Sequence, residues 1–191
     1  MSAGVESNLG TTYLPTKTLE FRSLDDACKC GSFCCGDQEI DGWLRGKARK
    51  EHQKLRCRVV TAHLAGNDAP VGFYSMCWRL ESEKLLHKSD WSLFSQFFRP
   101  ESGMFATLQL KYVGVQTQLQ NQTFGEVIMG HAINAYLQIV EAAGDIPLTL
   151  VARNQRAETF YFRLGFRRYG PEVQEMPRML LPSQSVLDLR N

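Results

Sequence analysis

A strand, a short polar loop and a long helix follow one another between Lys111 and Gly144, and this succession constrains the chain more than any other stretch. Lys111–Val115 reads as the strand and Gln120-Asn121-Gln122-Thr123-Phe124-Gly125 as the loop. Glu126–Ala143 spaces Ile128, Ala132, Ala135, Ile139 and Ala142 to fall on one face of a helix, which Gly144 can end. The first N–H groups of such a helix have no partner within it, and they lie at the positive end of its dipole. A strand and polar loop leading to that end make an anion site suited to a pyrophosphate.

A second unit of the same kind follows. Leu148–Ala152 reads as a strand, Arg153-Asn154 as a turn, and Gln155–Leu164 as a helix that Asn154 can cap and Gly165 can end. Phe166 opens a further strand through Tyr169, and Met179-Leu180-Leu181 reads as the last. The letters ARN-x-x-A-x-x-FY-x-x-LGF, set behind that loop, resemble the GNAT N-acetyltransferase superfamily, most closely its toxin branch from toxin–antitoxin systems. Phe33-Cys34-Cys35-Gly36 with Ile40-Asp41-Gly42-Trp43-Leu44 resembles the start of those toxins, and Val71-Gly72-Phe73-Tyr74 resembles a strand beside their acceptor site. The resemblance runs from about Leu19 to Leu181.

The resemblance implies an α/β (α+β) acyltransferase fold, a mixed central sheet flanked by helices in which two parallel strands splay apart to admit acetyl-CoA. It implies that backbone groups of Val113 and Val115 meet the pantetheine arm, with the Val115 N–H as oxyanion donor. Gln120, Gln122, Thr123, Phe124, Gly125 and Glu126 would form the pyrophosphate cradle. Asn154 would bond the pantetheine arm or cap its helix. Tyr161 matches the tyrosine placed beside the acetyl sulfur, where a phenol can protonate the departing thiolate. The loop departs from the family form, because Asn121 and Thr123 stand where glycines are usual and Gln122 where Arg or Lys is usual. Asparagine tolerates the left-handed conformation, so Asn121 can preserve the turn.

No carboxylate stands out as a general base; Gln109 and Gln116 occupy the strand positions where one would be sought. A lysine amine, with a pKa of about 10.4, needs such help far more than an α-amine, which starts near about 7.7–8.0. An α-amine beside an ester lies lower still. The toxin branch acts on such an amine, the charged end of aminoacyl-tRNA. The expected function is therefore acetyl-CoA-dependent N-acetylation of aminoacyl-tRNA, which blocks translation. Arg45, Arg49, Lys50, Arg153 and Arg156 are the candidates to hold its phosphates. Acetylation of a small-molecule or protein amine is the alternative, as is a non-catalytic CoA-binding or interaction protein. The resemblance also implies a homodimer and a ribbon–helix–helix antitoxin.

The rest of the chain sets bounds. A length of 191 residues suits one domain, expected over 18–182 between a loose leader at 1–17 and a tail at 183–191. With 43% hydrophobic and 22% charged residues and a net charge of +2, the composition is that of an ordinary globular protein. There is no signal-peptide pattern and no run long enough for a bilayer, so a cytoplasmic protein without membrane contact is expected. Cys28, Cys30, Cys34 and Cys35 crowd together in a spacing unlike that of zinc sites, and reduced thiols without metal are expected. Thr18–Leu24 reads as a strand preceding Asp25-Asp26, which cap a turn. Gln38–Lys54 reads as one amphipathic helix with Ile40, Trp43, Leu44 and Ala48 inward. Cys57–Ala65 and Val71–Leu80 read as a hairpin. Glu81–Gly103 reads as an insertion in which Asp90 caps a helix carrying Trp91, Leu93, Phe94, Phe97 and Phe98, either a satellite core or a contact surface.

Overall fold

The structure is a computed structural model that describes residues 19–94, 97, 102–171 and 176–183. The expected leader, Phe98 and all of the tail but Ser183 lie outside the described residues. Seven strands form one sheet: β1 (Leu19–Ser23), β2 (Arg58–Leu64), β3 (Gly72–Ser82), β4 (Met104–Val115), β5 (Leu148–Val151), β6 (Arg167–Tyr169) and β7 (Arg178–Leu181). Their spatial order is β1-β2-β3-β4-β5-β7-β6, and every neighbouring pair is antiparallel except β4–β5. The mixed sheet expected from the sequence is present.

The parallel pair is short. Leu108, Gln109 and Leu110 of β4 pair with Leu148, Thr149 and Leu150 of β5, and there the ladder stops, although β4 runs five residues further to Val115. A register shift between Ser75 and Met76 opposes Ser75 to Tyr112 and Met76 to Leu110, which makes Lys111 the extra residue of a bulge. The Tyr112 N–H turns onto Ser75 Oγ at 3.1 Å. A bulge bends its strand, so β4 leaves β5 where the ladder ends, and the two strands splay.

Helices cover both faces. On one lies α4 (Phe124–Ala143), whose Ile128, Met129, Ala132, Tyr136 and Leu137 pack on Tyr74, Met76, Leu108, Leu110, Leu148 and Leu150. The expected stripe is rotated here: Ile128 and Ala132 are buried, Ala135 and Ile139 are half-buried, and Ala142 is exposed. The aromatic Phe124 and Tyr136 take the inward positions, and the Tyr136 hydroxyl donates to Ile146 O at 2.9 Å. On the other face, Trp43, Leu44 and Ala48 pack with Leu24, Phe33, Val59 and Phe73.

Two further expectations are corrected. The single helix from Gln38 to Lys54 is two, α1 (Gln38–Gly46) and α2 (Ala48–Gln53), which share Lys47 as a cap. Gly42 and Gly46 weaken a continuous helix, and the break turns buried Ala48 and His52 toward β2, where His52 Nδ1 accepts from the Val59 N–H at 3.0 Å. The Asp90 carboxylate, next to α3 (Trp91–Phe94), accepts from the N–H groups of His87 and Gly170, at 2.8 and 2.9 Å. Glu81 and Ser82 belong to β3 rather than to an insertion. The Glu81 carboxylate is buried and accepts from Arg178 at 3.1 Å and from the Tyr169 hydroxyl at 2.9 Å. The aromatic segment does build a satellite core, in which Phe94 meets Phe105, Tyr169 and Leu180. Asp25 caps its turn as expected, accepting from the N–H groups of Ala27 and Cys28.

Candidate functional site

The gap between the splayed strands is a cleft of about 780 Å³. Its edge on the β4 side follows from ladder arithmetic. Bonded and non-bonded pairs alternate along an antiparallel ladder, and Gln116 N–H bonds Val71 O at 2.8 Å one step beyond the Gly72–Val115 pair. Phe73–Gly114 is therefore the bonded pair, and the backbone groups of Val113 and Val115 point away from β3 into the cleft. Gly114 is needed between them: a Cβ there would lie 2.8 Å from the Phe73 ring and 3.1 Å from Phe33.

The loop behind β4 is pinned by Gln120. Its Nε2 donates to Cys35 O at 2.7 Å and Val115 O at 3.0 Å, so the Val115 carbonyl is already engaged while its N–H faces the cleft. Asn121 takes a φ of +61°, the left-handed turn expected of it. No side chain caps α4, which starts at Phe124, two residues earlier than expected. Gln122, Thr123, Gly125 and Glu126 line the cleft, whereas the Phe124 side chain is buried below it. The opposite wall is α5 (Gln155–Arg163), which Asn154 caps by accepting from the Ala157 N–H at 2.8 Å. Arg153, Asn154, Arg156, Phe160 and Tyr161 line this wall. A long cleft with strand amides along one edge and an uncapped helix N-terminus at its end fits an extended phosphate-bearing thioester such as acetyl-CoA.

A second cavity of about 250 Å³ adjoins the first, and the two share Ile40, Val113, Arg153 and Tyr161. Tyr161 stacks edge-on with Phe160 at 5.4 Å and packs on Phe166 at 5.6 Å. Among the described residues its hydroxyl has no hydrogen-bond partner. Burial pushes the phenol up to about 12.

The second cavity holds groups that sequence reasoning missed. Glu39 accepts from Arg153 Nη2 at 2.6 Å and from the Tyr112 hydroxyl at 2.9 Å. These two donors, the arginine first, hold its carboxyl below the usual range, while burial and Glu39 push Tyr112 up to about 12. Arg153 also donates through Nε to Asp37 Oδ2 at 3.1 Å. Asp37, in turn, caps α1. Arg79 and Lys111 complete the rim, Lys111 with its ammonium 5.4 Å from the Trp43 and Tyr112 rings. Nothing local marks these residues. Glu39 and Arg153 are 114 positions apart, and only the sheet joins them.

The five basic candidates do not converge. Arg45 and Arg49 line a separate small cavity with Cys28, Lys29 and Cys30; Arg45 Nε donates to Asp41 O at 3.1 Å and Arg49 Nη2 to Cys28 O at 2.8 Å. Lys50 is exposed on α2 and lines none of these three cavities. Arg153 is matched by carboxylates, and Arg156 contacts Asn121 Oδ1 at the loop. The six cysteines are free thiols; Cys28 and Cys30 bring their sulfurs to 3.3 Å, and Cys35 lines the large cleft. Among the described residues no group of three or more His, Cys, Asp or Glu is placed to hold a metal, and no helix is long and apolar enough to cross a membrane.

No protein-family model matches this chain, and no curated protein does. Solved structures do. AtaT complexed with acetyl-methionyl-tRNAfMet superposes with a TM-score of 0.77 at 21% identity, over 91% of this chain and 100% of that one. AtaTR bound with acetyl-CoA gives 0.71 at 20%, over 91% and 98%. A Tyr-to-Phe variant of KacT gives 0.75 at 19%, over 90% and 98%. The fold of this chain is thus the fold of AtaT and KacT.

Proposed function

We propose that this chain, carrying the fold of the toxin-type acetyltransferases, transfers the acetyl group of acetyl-CoA to the α-amine of an aminoacyl-tRNA. One observation carries the reading: Tyr161 lines both cavities, so a single tyrosine borders the donor cleft and the acceptor cavity. Neighbouring structures support both ligands, since AtaT has been solved with acetyl-methionyl-tRNA and AtaTR with acetyl-CoA.

Acetyl-CoA supplies an activated carbonyl on a sulfur leaving group. The Val115 N–H faces the cleft and would steady the oxygen that gains charge when the amine attacks. As the new C–N bond forms and the C–S bond breaks, Tyr161, protonated at neutral pH, donates its proton to the departing sulfur. The proton lost from the amine goes to water. Glu39, the carboxylate on the acceptor side, is held anionic by Arg153 and Tyr112 and is a poor base. A site of this kind favours an amine that is largely neutral at working pH, and an aminoacyl ester provides one. Asn154, committed to capping α5, fixes the wall that carries Tyr161. Arg79 and Lys111, rather than the expected Arg45, Arg49 and Lys50, border the cavity where terminal phosphates would arrive. A cytoplasmic site of action, a homodimer and an antitoxin whose tail covers the cleft complete the proposal. AtaT has been solved with the C-terminus of its antitoxin AtaR.

The test is a transfer assay with labelled acetyl-CoA. Label should pass to charged tRNA and not to the same tRNA after deacylation. Equal labelling of lysine side chains of an added protein would defeat the proposed preference.

A further inference from the structure

The cradle loop carries no cation, yet a cation reaches it from across the cleft. Among the described residues lining the large cleft, three are basic: Arg153, Arg156 and Arg163. Arg153 is neutralised by Asp37 and Glu39. Arg163 sits on the last turn of α5, its guanidinium 5.8 Å from the Phe160 ring. Arg156, like Arg163, has no carboxylate partner among the described residues, but it alone of the three reaches the cradle loop, where it contacts the Asn121 side-chain carbonyl. That contact holds it at the turn before α4, and among the described residues no carboxylate balances its charge. Its own position adds to the case: Arg156 lies in the first turn of α5, where a cation opposes the helix dipole. An anion between α4 and α5 would answer both.

We infer that Arg156 is the phosphate-binding cation of the donor site, taking the role that Gln122 cannot fill in the loop, and that it does not belong to the tRNA surface. The inference rests on acetyl-CoA being the donor. Asn121 then has two tasks, the left-handed turn and the orientation of the guanidinium. A charge-assisted bond to phosphate is about 1.5–3 kcal/mol, so its loss should weaken binding roughly 10- to 100-fold.

The experiment is calorimetry on the full chain, comparing wild type with Arg156→Gln and Arg156→Lys. The ligands are acetyl-CoA and acetyl-pantetheine, which keeps the thioester arm and lacks the phosphates. Arg156→Gln should lose at least tenfold in affinity for acetyl-CoA and nothing for acetyl-pantetheine, and Arg156→Lys should recover part of the loss. The salt dependence of acetyl-CoA binding should also flatten in Arg156→Gln. Unchanged acetyl-CoA affinity in Arg156→Gln, or an equal loss for both ligands, overturns the inference and leaves the donor site standing. So does a loss confined to charged tRNA at saturating donor. Wild-type protein that does not bind acetyl-CoA removes the functional reading itself.

Discussion

With its phenol pushed up to about 12, Tyr161 keeps its proton at neutral pH and is a donor rather than a base. Tyr161→Phe removes only the hydroxyl, and the ring contacts with Phe160 and Phe166 should persist. The interaction strengthens as charge builds on sulfur, so its loss belongs in kcat rather than in substrate binding. A fall in kcat of about a hundredfold or more, with the melting temperature and acetyl-CoA affinity kept, is the expected result. Wild-type turnover would make Tyr161 a packing residue. This residue and Asn154 were legible in the sequence because both sit in one short segment whose spacing is fixed by a single turn and helix. Glu39, Arg79 and Lys111 were not, since each reaches the site from a different element and no local pattern marks it.

At the scale of elements, the splay depends on a strand edge that must stay bare while its other side stays packed. Gly114 is where these demands meet. Gly114→Ala places a methyl against two buried rings, Phe73 and Phe33, neither of which is a flexible chain end. Overpacking of that kind costs about 1–3 kcal/mol, and a urea titration should show a lower midpoint with an unchanged slope. An unchanged midpoint would mean that the rings shift freely. The strands themselves were readable from their composition and flanking turns, and the two strand–helix units from their caps. The bulge at Lys111 was not readable, because a bulge is set by pairing with β3 and leaves no mark on β4 alone. The inward face of α4 was misplaced for a related reason. Spacing defines a stripe, but the sheet beneath decides which part of the helix is covered, and the end at Ala142 is left exposed.

For the molecule as a whole, three histidines, two of them buried and His131 half-buried, set an acid limit. His52, His63 and His131 are all held below their ordinary value, in each case first by burial. His52 Nδ1 accepts from a backbone N–H, which requires the neutral ring, and His131 stacks on Phe21 at 3.9 Å. The unfolded chain takes up these protons first, near about pH 6.5. Stability is therefore complete above that value and falls as pH drops below it toward the folded values. The melting temperature should decline between pH 7.5 and 5.5, before the carboxylates titrate; a flat profile over that range would contradict the assignment.

Every functional statement about the molecule depends on the cleft between β4 and β5 being the donor site, and binding of acetyl-CoA tests that most directly. Gly125 is the position to vary. It lines the cleft on the first turn of α4, and a Cβ there would meet the Phe160 ring at 3.6 Å and Val115 at 4.0 Å, ordinary contact distances. Gly125→Ala is therefore accommodated, whereas Gly125→Glu sets a carboxylate against the phosphates. Calorimetry should show acetyl-CoA binding to wild type and to Gly125→Ala, and a loss of about tenfold or more in Gly125→Glu, since one adverse charge of 1.4 kcal/mol is about a factor of ten. Tight binding that Gly125→Glu leaves unchanged would place the donor elsewhere and contradict the account.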